Sequence, residues 1–283
     1  RLAEGVAQHL ASPDIVALEE IQDDSGPADD GTVSAEQTLR KFTAAIEAAG
    51  GPRYAWRSIA PVDGQDGGQP GGNIRVAFLF NPERVSFVDR PGGDATTAVT
   101  PVREGHRAAL SHSPGRLSPD DPAWRDSRKP LAGEFRFRGR TVFVLANHFS
   151  SKGGDEPLHS RHQPPRRPSE KQRLRQARVV NSFVRDLQAI EHGARIVVLG
   201  DLNDFEFSPT ARALTDGGAL RSAVYRLPAE ERYTYLHQGN AQVLDQTLVS
   251  PAIRELDYDI VHLNAEFADQ VSDHDPQVVR FRP

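Results

Sequence analysis

The chain has no cysteine in its 283 residues. That excludes disulfides, thiolate metal sites and a cysteine nucleophile. Methionine is missing too, and the chain opens on Arg1, which is not a translation start. The expectation is that a signal peptide, a leader or an upstream segment has been lost. No run approaches the roughly 18 apolar residues of a membrane span, so a transmembrane reading is out. There is no tandem repeat. Excess positive charge is also lacking: the net charge is -5, so bulk attraction to nucleic acid is weak and only a local basic stripe could supply it.

What is present suits a globular protein. A hydrophobic share of 37% in a chain this long buries a large core, enough for one big α/β domain or two small ones. Leu2, Val6 and Leu10 share a helical face, so the chain opens in or just before a helix. Asp14-Ile15-Val16-Ala17-Leu18 reads as a buried strand ending in Glu19-Glu20. Ser34 caps a helix over 35–49, with Leu39, Phe42 and Ile46 inward and Gly50-Gly51 as its stop. Strands are expected over 54–59, 74–80 and 85–88. The stretch 61–73 reads as a Gly-rich loop with too little apolar content to pack, and 89–127 as a long irregular connection. A hairpin turns at Arg138-Gly139, a helix runs from Ser169 to about His192, and Ser208-Pro209 opens a short one. Later strands are expected over 195–199, 242–249, 257–261 and 277–281. Strands alternating with helices and hairpins imply two mixed sheets packed together, with helices outside.

The chemistry is concentrated at strand ends. Val197-Val198-Leu199-Gly200 is a buried strand and a turn; Asp201 and Asn203 then share one side while Leu202 points back to the core. Their bland reading is an Asx turn that only shapes a loop. His148 follows the strand over 142–145 and suits an acid, a base or a phosphate donor; alone, it is equally a rim histidine. Asp245 lies inside the apolar strand Leu244-Asp245-Gln246-Thr247-Leu248 and needs a partner there, for which a histidine is natural. Ser272-Asp273-His274-Asp275-Pro276 sets an acid beside a histidine whose side chains diverge, so the two do different jobs: Asp273 to hold a metal or orient a base, His274 to take a proton from water. Glu20 is a metal candidate or a solvated loop acid, and strand alternation sends Glu19 to the opposite face. Oxygen-rich ligands without cysteine favour a hard cation.

Arg161, His162, Arg166, Arg167, Lys171, Arg173, Arg175 and Arg178 form a basic run. Such a run is a solvated loop and helix face, or a contact to a phosphate backbone. No aromatic beside it argues for base stacking.

Together, and in this order, Pro13-Asp14-Ile15-Val16-Ala17-Leu18-Glu19-Glu20, Asn147-His148, Gly200-Asp201-Leu202-Asn203, Asp245 and Ser272-Asp273-His274 resemble the endonuclease/exonuclease/phosphatase superfamily, the DNase I-like fold. Asn147-His148-Phe149-Ser150-Ser151-Lys152-Gly153-Gly154-Asp155, Gln163-Pro164-Pro165 and Gly239-Asn240-Ala241-Gln242-Val243-Leu244-Asp245 look like its bacterial extracellular nuclease branch. The resemblance implies a four-layer α/β sandwich, two mixed β-sheets packed face to face with helices outside, as a single domain over 1–283. It implies a metal-dependent phosphoesterase site at one sheet edge. By position, Glu20 binds Mg²⁺ (or Mn²⁺ or Ca²⁺), Asp273 supports metal or histidine, and Asp201 and Asn203 orient water and phosphate. His148 donates to a phosphate oxygen, Asp245 orients or protonates that region, and His274 is the general base. Arg75 and Arg128 contact phosphate. One departure stands out: family members carry an Asn on a first strand before the opening helix, and this chain begins in that helix, so a domain lacking its first strand is expected. The implied activity is that of a phosphodiesterase, a DNA or RNA nuclease of low sequence specificity. Two alternatives remain: the same site acting on small phosphoesters or phospholipid headgroups, and a nucleic-acid-binding module that has lost its metal. The expected partner is a nucleic acid or phosphoester substrate, with no obligate protein partner, in a secreted monomer.

Overall fold

A computed structural model describes residues 1–157 and 159–283. Leu158, just before the basic run noted above, lies outside the described residues. Among the described residues the strands are, in chain order, β1 (Ile15–Ile21), β2 (Ala55–Ser58), β3 (Arg75–Phe80), β4 (Ser86–Phe87), β5 (Pro101–Glu104), β6 (Arg107–Leu110), β7 (Gly115–Arg116), β8 (Leu131–Phe137), β9 (Arg140–His148), β10 (Ile196–Asp201), β11 (Arg221–Ser222), β12 (Tyr235–His237), β13 (Asn240–Gln242), β14 (Asp245–Val249), β15 (Leu256–Ile260) and β16 (Gln277–Phe281). The α-helices are α1 (Leu2–Glu4), which runs on into a π-helical turn Gly5–His9, then α2 (Glu36–Ala48), α3 (Glu170–Ile190) and α4 (Pro209–Thr215).

A seven-stranded sheet runs β11-β14-β10-β9-β8-β4, with β7 also on β8. It is mixed because β9 and β10 are parallel, while the other pairs are antiparallel. A three-stranded antiparallel sheet runs β1-β3-β2, and β15 pairs with β16.

Strand alternation builds the layers. On β9, Phe143 and Leu145 pack against Val180, Val184 and Leu187 of α3. The intervening Val142, Val144 and Ala146 point the other way, onto Phe78 and Phe80 of β3 and Tyr258 of β15. Across β3, Ala77 and Leu79 meet Leu39 and Ile46 of α2 and Ala3 and Val6 of the opening helix. The order is therefore helix, sheet, sheet, helix, the four-layer α/β sandwich expected. Phe78, Leu79, Leu145 and Val180 are each 0% exposed, and each such side chain contributes about 1.5–3 kcal/mol by leaving water.

Two segments depart from the sequence reading. The connection 89–127 is not merely irregular: it carries the β5–β6 hairpin and buries Leu110, Leu117 and Trp124. Its larger apolar side chains stand apart, interrupted by prolines, glycines and serines, so no periodicity announces them. The loop 61–73 packs after all, through charge. Asp66 is buried between Arg116 at 2.8 Å and Lys129 at 2.7 Å. A buried carboxylate with two cations meets its desolvation cost without apolar contacts.

Among the described residues, β1 pairs only with β3, and β16 only with β15. Between these two edges lies an open groove of about 690 Å³, lined by Ile15, Ala17, Val144, Leu199, Val279 and Phe281 among others.

Candidate active site

One rung of the large sheet carries the centre. Asp201 at the end of β10 pairs in register with His148 on β9 and with Asp245 on β14. Three residues far apart in sequence thus lie side by side across three strands. Gly200, just before, has φ +127°, and a Cβ there would sit 2.0 Å from the Asn147 carbonyl oxygen. Only glycine permits that approach, which lets β9 and β10 deliver their ends together. Beyond the rung, Leu202 is fully buried. Asn203, at φ +50°, donates its backbone N–H to Asp201 Oδ1 at 2.8 Å and its Nδ2 to Asp201 Oδ2 at 2.9 Å. The Asx geometry read from the sequence is present, and it fixes Asp201 rather than merely shaping a loop.

His274 completes the cluster. Its Nδ1 lies 2.6 Å from Asp245 Oδ2, the histidine partner that the Asp within an apolar strand required. Ligand atoms of Asp201, Asp245 and His274 all lie within 4.8 Å of one another. The Tyr235 ring packs on the His274 ring at 4.8 Å, and Thr234 Oγ1 accepts from the Asp245 N–H at 3.1 Å.

The acidic doublet breaks its expected alternation. Leu18 pairs with Ala77 but Ile21 with Arg75, so β1 holds one extra residue there. This is a β-bulge, and Glu20 occupies it with φ +54°. The bulge turns both acids toward the rung instead of to opposite faces. Glu19 lies against Gly200 and within the field of Asp201 and Asp245. Glu20 stays largely exposed, with Oε1 3.8 Å from His148 Nε2. His148 Nε2 is also 3.6 Å from Asp201 Oδ2.

The electrostatics follow from burial and crowding. Burial and then the Asp245 charge push Asp201 up to about 7. Burial, Asp245 and Asp201 push Glu19 well above its ordinary value. Burial, with Arg128 and His274 adding, drives His148 well below 6.5, so this imidazole is neutral. For His274, burial opposes charge, but the bond to Asp245 and the charges of Asp245, Asp201 and Asp273 raise it to about 10. The carboxylates therefore outweigh the cations beside them. A hard divalent cation fits such an oxygen-rich, negatively charged set.

The remaining expected residues divide. Asp273 is exposed, and its charge acts on His274 and Tyr235. Arg128 is buried; its Nη2 donates to the Phe149 carbonyl at 2.8 Å, while its Nε has no partner among the described residues. It feels the charges of Asp201 and Glu20, so a buried donor beside the rung is available to an anion. Arg75 is different. It is 2% exposed, and its guanidinium donates to the carbonyls of Asn73 and Val33. It braces the 61–73 loop from beneath, and a phosphate role is corrected on that ground. Arg173, read as part of a basic face, is likewise buried, against Asp204 at 3.1 Å and Asp155 at 3.3 Å.

Sequence reasoning missed Glu19 and Tyr235. The bulge that brings Glu19 in leaves no mark on the residues themselves. Tyr235 sits in a three-residue strand and reads as an ordinary aromatic; only its bridge to His274 reveals it.

The model of the Endonuclease/Exonuclease/phosphatase family matches residues 1–274. No curated protein matches the sequence at a significant level. Several solved structures share the fold. The endonuclease/exonuclease/phosphatase from Bacteroides vulgatus is 15% identical with a TM-score of 0.58, covering 100% of this chain and 88% of that one. D. rerio TDP2, complexed with single strand DNA product, is 16% identical with a TM-score of 0.58, covering 99% and 91%. The mannosyl-6-phosphatase Bt3783 of Bacteroides thetaiotaomicron is 16% identical with a TM-score of 0.54, covering 99% and 89%.

Proposed function

Because the chain belongs to the endonuclease/exonuclease/phosphatase family, whose members hydrolyse phosphoester bonds, we propose that it is a divalent-cation-dependent phosphodiesterase that cuts DNA or RNA with low sequence specificity. The observation that carries this reading is the rung His148–Asp201–Asp245 with His274 bonded to Asp245. Exposed Arg161, Arg166 and Arg167 follow the end of β9 and favour a polyanionic substrate.

The exposed carboxylates Glu20 and Asp273 would hold Mg²⁺ (or Mn²⁺), with Asp201 contributing from the rung. A divalent cation held there would supply positive charge near the phosphoryl oxygens and would offset the negative field that keeps His274 protonated. Asp245 holds His274 Nδ1, which leaves Nε2 to take the proton of the attacking water. Neutral His148 donates its N–H to a phosphoryl oxygen, and the Arg128 guanidinium adds charge there. Asn203 keeps Asp201 in place while both orient water and phosphate.

Supercoiled plasmid with Mg²⁺, with and without chelator, tests the reading. Nicking that chelator abolishes is expected, and His274→Ala should lower kcat by about 10²–10⁴-fold. A His274→Ala protein that cuts at the wild-type rate removes the general base. Hydrolysis of a small phosphate monoester with the plasmid left intact would assign the site to phosphatase chemistry instead. Plasmid retention without any cleavage would leave a binding module.

A further inference from the structure

An aromatic stack stands beside the rung. The loop leaving Asn203 carries Phe205 and Phe207, whose rings are parallel within 10° and 5.3 Å apart. Lys152 Nζ lies 3.5 Å from the Phe205 ring centre. An ammonium that close leaves no room for a ring on the same face, so Phe207 takes the other. The order is cation, ring, ring, and the outer ring is 63% exposed. Tyr225, 53% exposed, donates its hydroxyl to the Glu206 carbonyl at 3.1 Å, and Arg232 lies 5.3 Å over its ring.

A single exposed phenylalanine needs no explanation. Two phenylalanines stacked in parallel, the inner half-buried and the outer open to water, with a lysine beneath and an arginine over the neighbouring tyrosine, are a different object. Apolar packing alone gains nothing from a cation. Position adds to this. Phe205 is two residues past Asn203, so its backbone is within roughly 7 Å of that residue's. Lys152 is four residues past His148 on the neighbouring strand's exit. Both ends of the stack therefore descend from the rung itself.

We propose that Phe207, backed by Phe205 and Lys152, is the platform on which a nucleobase next to the cleaved phosphate stacks. This rests on the nuclease reading above. Every base has a π-face, so such a platform binds single strands without reading their sequence. The cations meet the flanking phosphates.

The test uses two single-stranded oligonucleotides of equal length with Mg²⁺. One carries all its bases; the other has base-free tetrahydrofuran residues throughout its central half. Wild type should cut the base-bearing strand with a kcat/KM higher by roughly 5- to 100-fold, the range expected for one stacked base. Phe207→Ala should bring that ratio close to one. Phe207→Trp should restore it and Phe207→Leu should not, since leucine keeps apolar contact without a π-face. The exposure of Phe207 protects the fold in all three variants. Equal cutting of both strands by wild type overturns the platform and leaves the nuclease reading standing. An unchanged ratio in Phe207→Ala, or rescue by leucine, does the same. Failure to cut either strand removes the nuclease reading and the platform with it. Binding to phosphatidylcholine vesicles that is lost in Phe207→Ala, with the ratio unaltered, would give the patch to a lipid surface and overturn the proposal.

Discussion

Arg173 is 1% exposed, and its guanidinium reaches Asp204, Asp155, Ser169 Oγ and the carbonyls of Ser150 and Ser151. Removing one partner of such a pair leaves an uncompensated buried charge. Arg173→Ala should therefore cost about 3–5 kcal/mol in urea unfolding, whereas Arg178→Ala, on the exposed face of α3, should stay within about 0.5 kcal/mol. Equal effects would mean that Arg173 is solvated. In sequence the two arginines look alike. A charged side chain carries no sign of its burial, which is set by acids distant in the chain. The same holds for Arg75 and Arg128. Asp245 was legible for the opposite reason: an acid flanked by Leu244, Thr247 and Leu248 in a strand has no water to turn to, and His274 was the natural partner.

At the scale of elements, the strands before the polar clusters were readable because apolar runs and a glycine mark them. Their lateral register was not. That Asp201 lies beside both His148 and Asp245 depends on pairing, which no local pattern encodes. The bulge in β1 was invisible too, and it alone decides where Glu19 goes. Gly200 holds the register at its most crowded point. Gly200→Ala should destabilise by at least about 2 kcal/mol, through a strained positive φ and the clash with the Asn147 carbonyl. It should also lower kcat, since His148 and Asp201 could no longer share their rung. Urea titration and plasmid nicking check the two effects. A variant with wild-type values in both would show that the turn adapts freely.

For the whole molecule, the layered plan followed from alternating elements, but the balance of charge at the site did not. The pH dependence of stability reports that balance. Asp201 has a folded value raised to about 7, so between about 4 and 7 the folded state binds a proton that the unfolded chain has lost, and stability falls as pH rises. His274, raised to about 10, extends the fall from 6.5 to 10. His148, held neutral by burial, works the other way only below 6.5. In chelator, Tm should therefore decline steadily from pH 6.5 to 9. Mg²⁺ should raise Tm more at pH 9 than at pH 6.5, because it competes with protons for the same carboxylates. Thermal scans at the two pH values, with and without Mg²⁺, decide this. A Tm that ignores both pH and Mg²⁺ would mean that the acids are already compensated within the protein.

The groove between β1 and β16 has its own consequence. Each margin offers a ladder of backbone donors and acceptors, and the floor of Val144 and Leu199 is greasy. An extended chain with every second residue apolar can zip to both margins at once while its oily side drops into the slot. In concentrated solution the outermost strands of other copies compete for the same slit, and aggregation that rises with protein concentration, read by light scattering, is the expected outcome.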